Sequence, residues 1–138
     1  MASNFKDIRA AIKGVVDSMD TVQSAYAYEK STFDGFPAVI VVPTDNESEY
    51  ATNQNDRQVF VFKLRAYCPI PKESEHAAAE IALEEVVDEL LTSFRERDIL
   101  GTACDWVEPS PSVWQYEERG EGVYRVAEVT LRCVKYVS

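Results

Sequence analysis

Gln58-Val59-Phe60-Val61-Phe62-Lys63-Leu64-Arg65-Ala66-Tyr67-Cys68 is the stretch that decides the fold. At the two-residue period of a strand, Phe60, Phe62, Leu64, Ala66 and Cys68 share one face. Arg57, Lys63, Arg65 and Tyr67 share the other, joined by Val59 and Val61. The first face is core. The second is charged and aromatic, and a sheet built around this strand needs a helical cover on one side only.

Upstream, the run Phe36-Pro37-Ala38-Val39-Ile40-Val41-Val42 is apolar on both faces and predicts a buried strand with something packed on either side, ended by Pro43. Residues 22–30, with Tyr26 and Tyr28 on one face, predict another strand, and Asp34-Gly35 a turn between the two. Downstream, residues 123–136 read as a long closing strand. Its Ala127, Val129, Leu131 and Cys133 face the core, while Glu128, Thr130 and Arg132 face out. Residues 103–107 and 113–116 predict one or two further strands around Glu108-Pro109-Ser110-Pro111, with a turn at residues 117–122.

Two segments carry helical periodicity instead. Phe5, Ile8, Ile12, Val15, Val16 and Met19 form one apolar stripe, with Ser3 or Asn4 as the cap and Asp7 in the first turn. Across residues 72–97, Ala79, Leu83, Val86, Val87, Leu90 and Phe94 fall on one side, and Glu84, Glu85, Asp88 and Glu89 cover much of the rest. Ile81 points nearly opposite the core stripe, among the acids. The order is α-β-β-β-α-β-β. It predicts a single α+β domain over residues 1–138, a mainly antiparallel sheet with two helices packed on one face. Residues 44–56 have almost no apolar content and read as a long flexible polar loop in which Tyr50 is the one large side chain.

Composition sets limits on function. With 46% hydrophobic and 11% aromatic residues, the 138-residue chain can build a real core. Its net charge of −10 argues against a protein that grips nucleic acid, since phosphate binding needs clustered Lys and Arg. The same charge suits a surface past which DNA must move without sticking, and solubility alone explains it equally well. The longest apolar stretch, residues 36–43, is too short to cross a bilayer, and the start shows no basic-then-apolar secretory pattern. Cys68, Cys104 and Cys133 are odd in number and lack CxxC spacing, which predicts reduced, buried thiols.

No residue set points to catalysis. His76 is the single histidine and sits beside Glu73, Glu75 and Glu80, where a solvated or half-buried ring is expected. HExxH, paired CxxC, EF-hand, GxGxxG and GxxxxGK[ST] patterns are absent from the sequence, so neither metal nor cofactor is expected. What remains is surface. The candidate contact residues are Asp45, Glu47, Glu49 and Tyr50 in the polar segment, Lys63, Arg65 and Arg132 on the outer strand face, Ile81 on the helix, and Trp106 and Trp114 beside the Pro-Ser-Pro segment. At least one tryptophan is expected in the core.

The element order, together with Phe36-Pro37-Ala38-Val39-Ile40-Val41, Val59-Phe60-Val61-Phe62-Lys63-Leu64-Arg65-Ala66-Tyr67 and Tyr124-Arg125-Val126-Ala127-Glu128-Val129-Thr130-Leu131, resembles the phage tail terminator (tail completion) family across nearly the whole chain. The resemblance implies a non-enzymatic virion protein of the tail neck, made in the host cytoplasm. It would form a ring, typically sixfold, at the head-proximal end of the tail tube, stop tube growth and join the head connector. Its implied partners are itself, the tail tube protein and the head–tail connector, with no sequence-specific nucleic acid and no membrane. Residues 44–56 would be an order-on-assembly contact. Two other readings stand beside it: a different head–tail neck or joining protein, and a cytosolic small-molecule-binding regulatory α+β domain.

Overall fold

The computed structural model describes residues 4–28, 33–50, 56–70, 76–96, 99–101, 103–119 and 122–137. The elements run α1 (Asn4–Asp17), β1 (Ser24–Tyr26), β2 (Ala38–Tyr50), β3 (Asp56–Pro69), α2 (His76–Phe94), β4 (Trp106–Arg119) and β5 (Gly122–Val137). This is the α-β-β-β-α-β-β order that the sequence predicts, in an α+β fold. The strands form one sheet in the order β1-β2-β3-β5-β4. Every pairing is antiparallel except that of β1 with β2.

The alternation in β3 organises everything else. Its Phe60, Phe62, Leu64 and Ala66 join Val39 and Val41 of β2 and Ala127, Val129, Leu131 and Cys133 of β5 in one buried cluster. The α1 stripe of Ile8, Ile12 and Val16 and the α2 stripe of Leu83, Val86, Val87, Leu90 and Phe94 complete it, so both helices lie on the same sheet face. Phe5 sets its ring edge-on to Phe60, with centroids 4.9 Å apart. The two helices are tied together beyond α1, where the Thr21 backbone N–H and hydroxyl both donate to Glu89 Oε1.

The opposite face holds a second cluster. Ile40, Tyr67 and Val126 are fully buried there, with Tyr26, Phe33, Val42 and Tyr124 against them. Phe33 lies 5.1 Å from the Tyr67 ring, and Phe36 lies 5.7 Å from Tyr124. Residues 33–37 thus fold back over one end of this face, and the Phe36–Pro37 bond is cis. The expectation that the apolar run around Ile40 is packed on both sides is met, and Tyr67 is inside this cluster. Past α2, Gly101 takes a left-handed φ of 61°, which a side chain would disfavour.

Several boundaries differ from the sequence reading. The expected strand over residues 22–30 is the three-residue β1, because only Ser24, Ala25 and Tyr26 find partners on β2. The two candidate segments at 103–107 and 113–116 are one strand, β4, which crosses Pro109 and Pro111 because it lies at the sheet edge, where a missing N–H removes no ladder bond. The largest correction falls on residues 44–56. Far from being a loop throughout, this segment continues β2 to Tyr50, with Asn46 to Tyr50 in register with Phe60 to Asp56. Hydrophobic periodicity misses such an edge extension, because ladder pairing to β3 holds it without any apolar side chain. Residues 51–55, the expected cap at Ser3, residues 72–75 and Arg97 of the long helix, and Gly120 in the last turn lie outside the described residues.

Candidate functional site

Two surfaces stand out once the core is assigned. The first is the middle of the sheet face that no helix covers. Arg65 on β3 and Glu128 on β5 stand opposite each other in register, and Arg65 Nε donates to Glu128 Oε1 at 2.6 Å. Lys63 Nζ lies 4.0 Å from the other carboxylate oxygen. Glu128 faces away from the helices as its position in the strand predicts, yet it is only 5% exposed, a buried acid shared by two cations. The bond to Glu128 raises the Arg65 pKa further above its already high ordinary value, so the guanidinium stays charged. Arg132 is opposite Val61, one step diagonally from Lys63, and completes a short basic strip; Glu108 of β4 stands opposite Arg132.

Trp106 flanks this strip. Its indole N–H donates to Glu108 Oε1 at 3.1 Å, and its ring lies 5.5 Å from Tyr136. Both rings are substantially exposed.

The second surface is an aromatic corner on the helical side of the sheet. After the irregularity between Pro111 and Trp114, Trp114 and Tyr116 pair with Ala127 and Arg125 and so share the face that meets α2. Arg125 lies over the Tyr116 ring at 4.5 Å and the Trp114 ring at 5.3 Å, while its Nε donates to Glu80 of α2 at 2.9 Å. The His76 ring, itself exposed, is 6.0 Å from Tyr116. Val113, Tyr116 and Val123 are exposed around it. Neither Trp106 nor Trp114 is core, contrary to expectation, since both are 37% exposed. Each lies on edge strand β4, which has sheet on one side only and whose Trp114 packs against an arginine instead of an apolar layer.

Of the sequence candidates, the structure brings Lys63, Arg65 and Arg132 together on the open face, with Trp106 at its border. Trp114 belongs to the separate aromatic corner. Ile81 is 55% exposed on α2, as predicted, and stands apart from both. Asp45, Glu47, Glu49 and Tyr50 have backbone positions in β2, but their side chains lie outside what is described. The aromatics Trp106, Trp114 and Tyr116 around the Pro-Ser-Pro segment stand out in the sequence, but the link of Arg125 to Glu80 beneath two of them does not, because that contact joins residues 45 positions apart. Only the bulge puts Trp114 and Tyr116 on the helical face, and periodicity carries no signal for it.

Among the described residues no group of three or more His, Cys, Asp or Glu is placed to hold a metal, and no helix is long and apolar enough to cross a membrane.

Both sheet edges are guarded. Edge strand β4 carries Pro109 and Pro111 and a register shift at residues 111–114. On the other side, β2 is covered by β1 only at residues 38–40, and further along it carries Pro43 and a register shift between Pro43 and Asn46. A proline next to an irregularity removes a donor and twists the edge away, the usual defence against strand-to-strand aggregation.

Neither a family model nor a curated protein matches the sequence. A solved structure without a descriptive name is similar over 96% of each chain, at 16% identity and a TM-score of 0.48, a likeness too weak to carry an argument about this chain.

Proposed function

We propose that this chain is a structural virion protein that forms a ring capping the head-proximal end of a phage tail tube, ending tube growth and joining the tail to the head connector. The observation that carries this reading is the open sheet face: a charged and aromatic surface around Arg65, Glu128, Lys63 and Trp106 that the chain's own helices leave uncovered. One face of an antiparallel sheet is commonly left to solvent, and the mix of arginine, lysine and exposed aromatic rings on this one is what a protein contact would use. The element order on which the family resemblance rests is also the order of the folded chain. A net charge of −10 fits a lumen through which DNA must slide. Guarded edges favour a closed assembly built through faces, since open edges would let a sheet grow without limit.

The test is electron microscopy with native mass measurement on the purified chain, alone and with assembled tail tube protein. Rings, or tubes blunted at one end by this chain, are the expected result. A strict monomer that leaves tubes uncapped overturns the proposal.

A further inference from the structure

Within that ring reading, on which the inference rests, the structure also offers the two halves of a subunit contact. On α2, Ile81, Glu84, Glu85 and Asp88 follow the i, i+3, i+4, i+7 spacing of a single helix face, and all four are exposed. This face is turned away from the sheet, because the opposite stripe of α2 is the core. It is an acidic ridge with one aliphatic side chain. The open sheet face on the far side of the molecule carries three cations, Lys63, Arg65 and Arg132, against two acids, Glu128 and Glu108, at its middle. There Lys63 and Arg132 reach the surface around Glu128, whose carboxylate is buried and held by Arg65.

We propose that the acidic face of α2 in one copy docks on the basic middle of the open sheet face in the next copy, with Ile81 as its apolar anchor. The two patches lie on opposite sides of the two-layer fold, so the contact is heterologous. Each copy uses one patch on each neighbour, and a constant rotation between copies closes a ring. Charge complementarity selects this pairing over its rivals. Ridge against ridge sets acid on acid, sheet face against sheet face leaves a small excess of cations over Glu128 and Glu108 with no acidic partner surface, and strand-to-strand joining is opposed by the prolines and irregularities of β2 and β4.

Charge-swapped mixing tests it. The sheet variant carries Lys63→Glu and Arg132→Glu; the ridge variant carries Glu84→Lys, Glu85→Lys and Asp88→Lys. Sedimentation velocity and native mass spectrometry are run on the full chain and on each variant, with thermal melts as a check on folding. Each variant alone is expected to weaken self-association by about a hundredfold, since like charges then face each other across the contact. An equimolar mixture is expected to recover assembly with the two variants alternating, because each acid patch again meets a basic one. Recovery of that kind cannot come from misfolded chains. If the sheet variant fails to fold, the ridge variant decides alone, because its three substituted positions are exposed in the single copy. A ridge variant that assembles like the parent chain, or two folded variants that do not recover on mixing, overturns the contact while the ring reading stands. A parent chain that stays monomeric at millimolar concentration and on tubes overturns both.

Discussion

Arg65 and Glu128 stand directly across β3 and β5 from each other, 2.6 Å apart, on the sheet face that carries no helix. Glu128 is the one charged residue among the described buried set, so its environment decides whether this face is sound. A buried carboxylate is tolerated when its hydrogen bonds and countercharge are supplied, and removing a partner costs more than the pair contributes. Glu128→Ala takes the shared acid from Arg65 and Lys63, neighbours on one face of β3, and should lower unfolding stability by about 2 kcal/mol. Arg65→Ala should cost a similar amount by orphaning the acid. Lys63→Ala, which removes a longer and more exposed contact, should cost under about 1 kcal/mol. Urea titrations of the three variants check the ranking. A Lys63 effect as large as that of Arg65 would contradict it.

At the aromatic corner, Arg125 is fixed by Glu80 on one side and by the Tyr116 and Trp114 rings on the other. Its side chain is 15% exposed, so the ion pair and the ring contacts are partly desolvated and each gains weight. Arg125→Ala should destabilise the chain by about 1–2 kcal/mol. It should also shift Trp114 fluorescence to the red as the ring gains water. Trp106, which is remote from Arg125 in the ladder, serves as the internal reference: a Trp106→Phe background isolates the signal. An unchanged spectrum in that background would show that the stack does not hold Trp114.

The contrast between these two sites explains how far the sequence could be read. Strict alternation in β3 and β5 made the core legible residue by residue, because one buried face imposes a period of two. The same logic placed Lys63, Arg65, Glu128 and Arg132 together on the other face, but alternation records which way a side chain points and not whether it is buried there. Glu128 needed the cross-strand register to be recognised as an interior acid. The strand character of Thr44 to Tyr50 was invisible for a related reason: its partner, β3, carries all the hydrophobic information of the pair. The corner of Glu80, Arg125, Trp114 and Tyr116 depends on a β4 irregularity and a helix docking from elsewhere in the chain, and neither leaves a periodic trace.

The thiols should react in a fixed order. All three cysteines are free; Cys68 is half-buried, whereas Cys104 and Cys133 are buried and share a hydrogen bond. That bond and desolvation push the Cys133 thiol far up, the same bond lowers Cys104, and burial alone raises Cys68. Because the reagent must reach the sulfur, access decides the order even for Cys104: a native-state titration with an aromatic disulfide reagent at pH 8 should label half-buried Cys68 slowly, and the buried Cys104 and Cys133 only after denaturant is added. Peptide mapping after a short pulse identifies the site. Early labelling of Cys133 would show that the sheet opens between β4 and β5.

The contact between Thr21 and Glu89 should make the junction of the two helices acid-sensitive. Two donors from Thr21, first the hydroxyl and then the backbone N–H, favour the ionised carboxylate and lower its pKa below the ordinary glutamate value. A depressed folded pKa means that the stabilisation is fully present above the unfolded value of about 4.3 and is lost as pH falls through the lower folded value. Because Glu89 is partly solvated, the whole effect should stay under about 1 kcal/mol. Glu89→Gln removes the titrating group. Its stability deficit relative to the parent chain should therefore be largest near neutral pH and shrink as pH drops below 4.3, as followed by urea denaturation at a series of pH values. A deficit that stays constant across that range would show that the amide loses packing only, and that the Thr21 donors do not discriminate between the charged and neutral carboxyl.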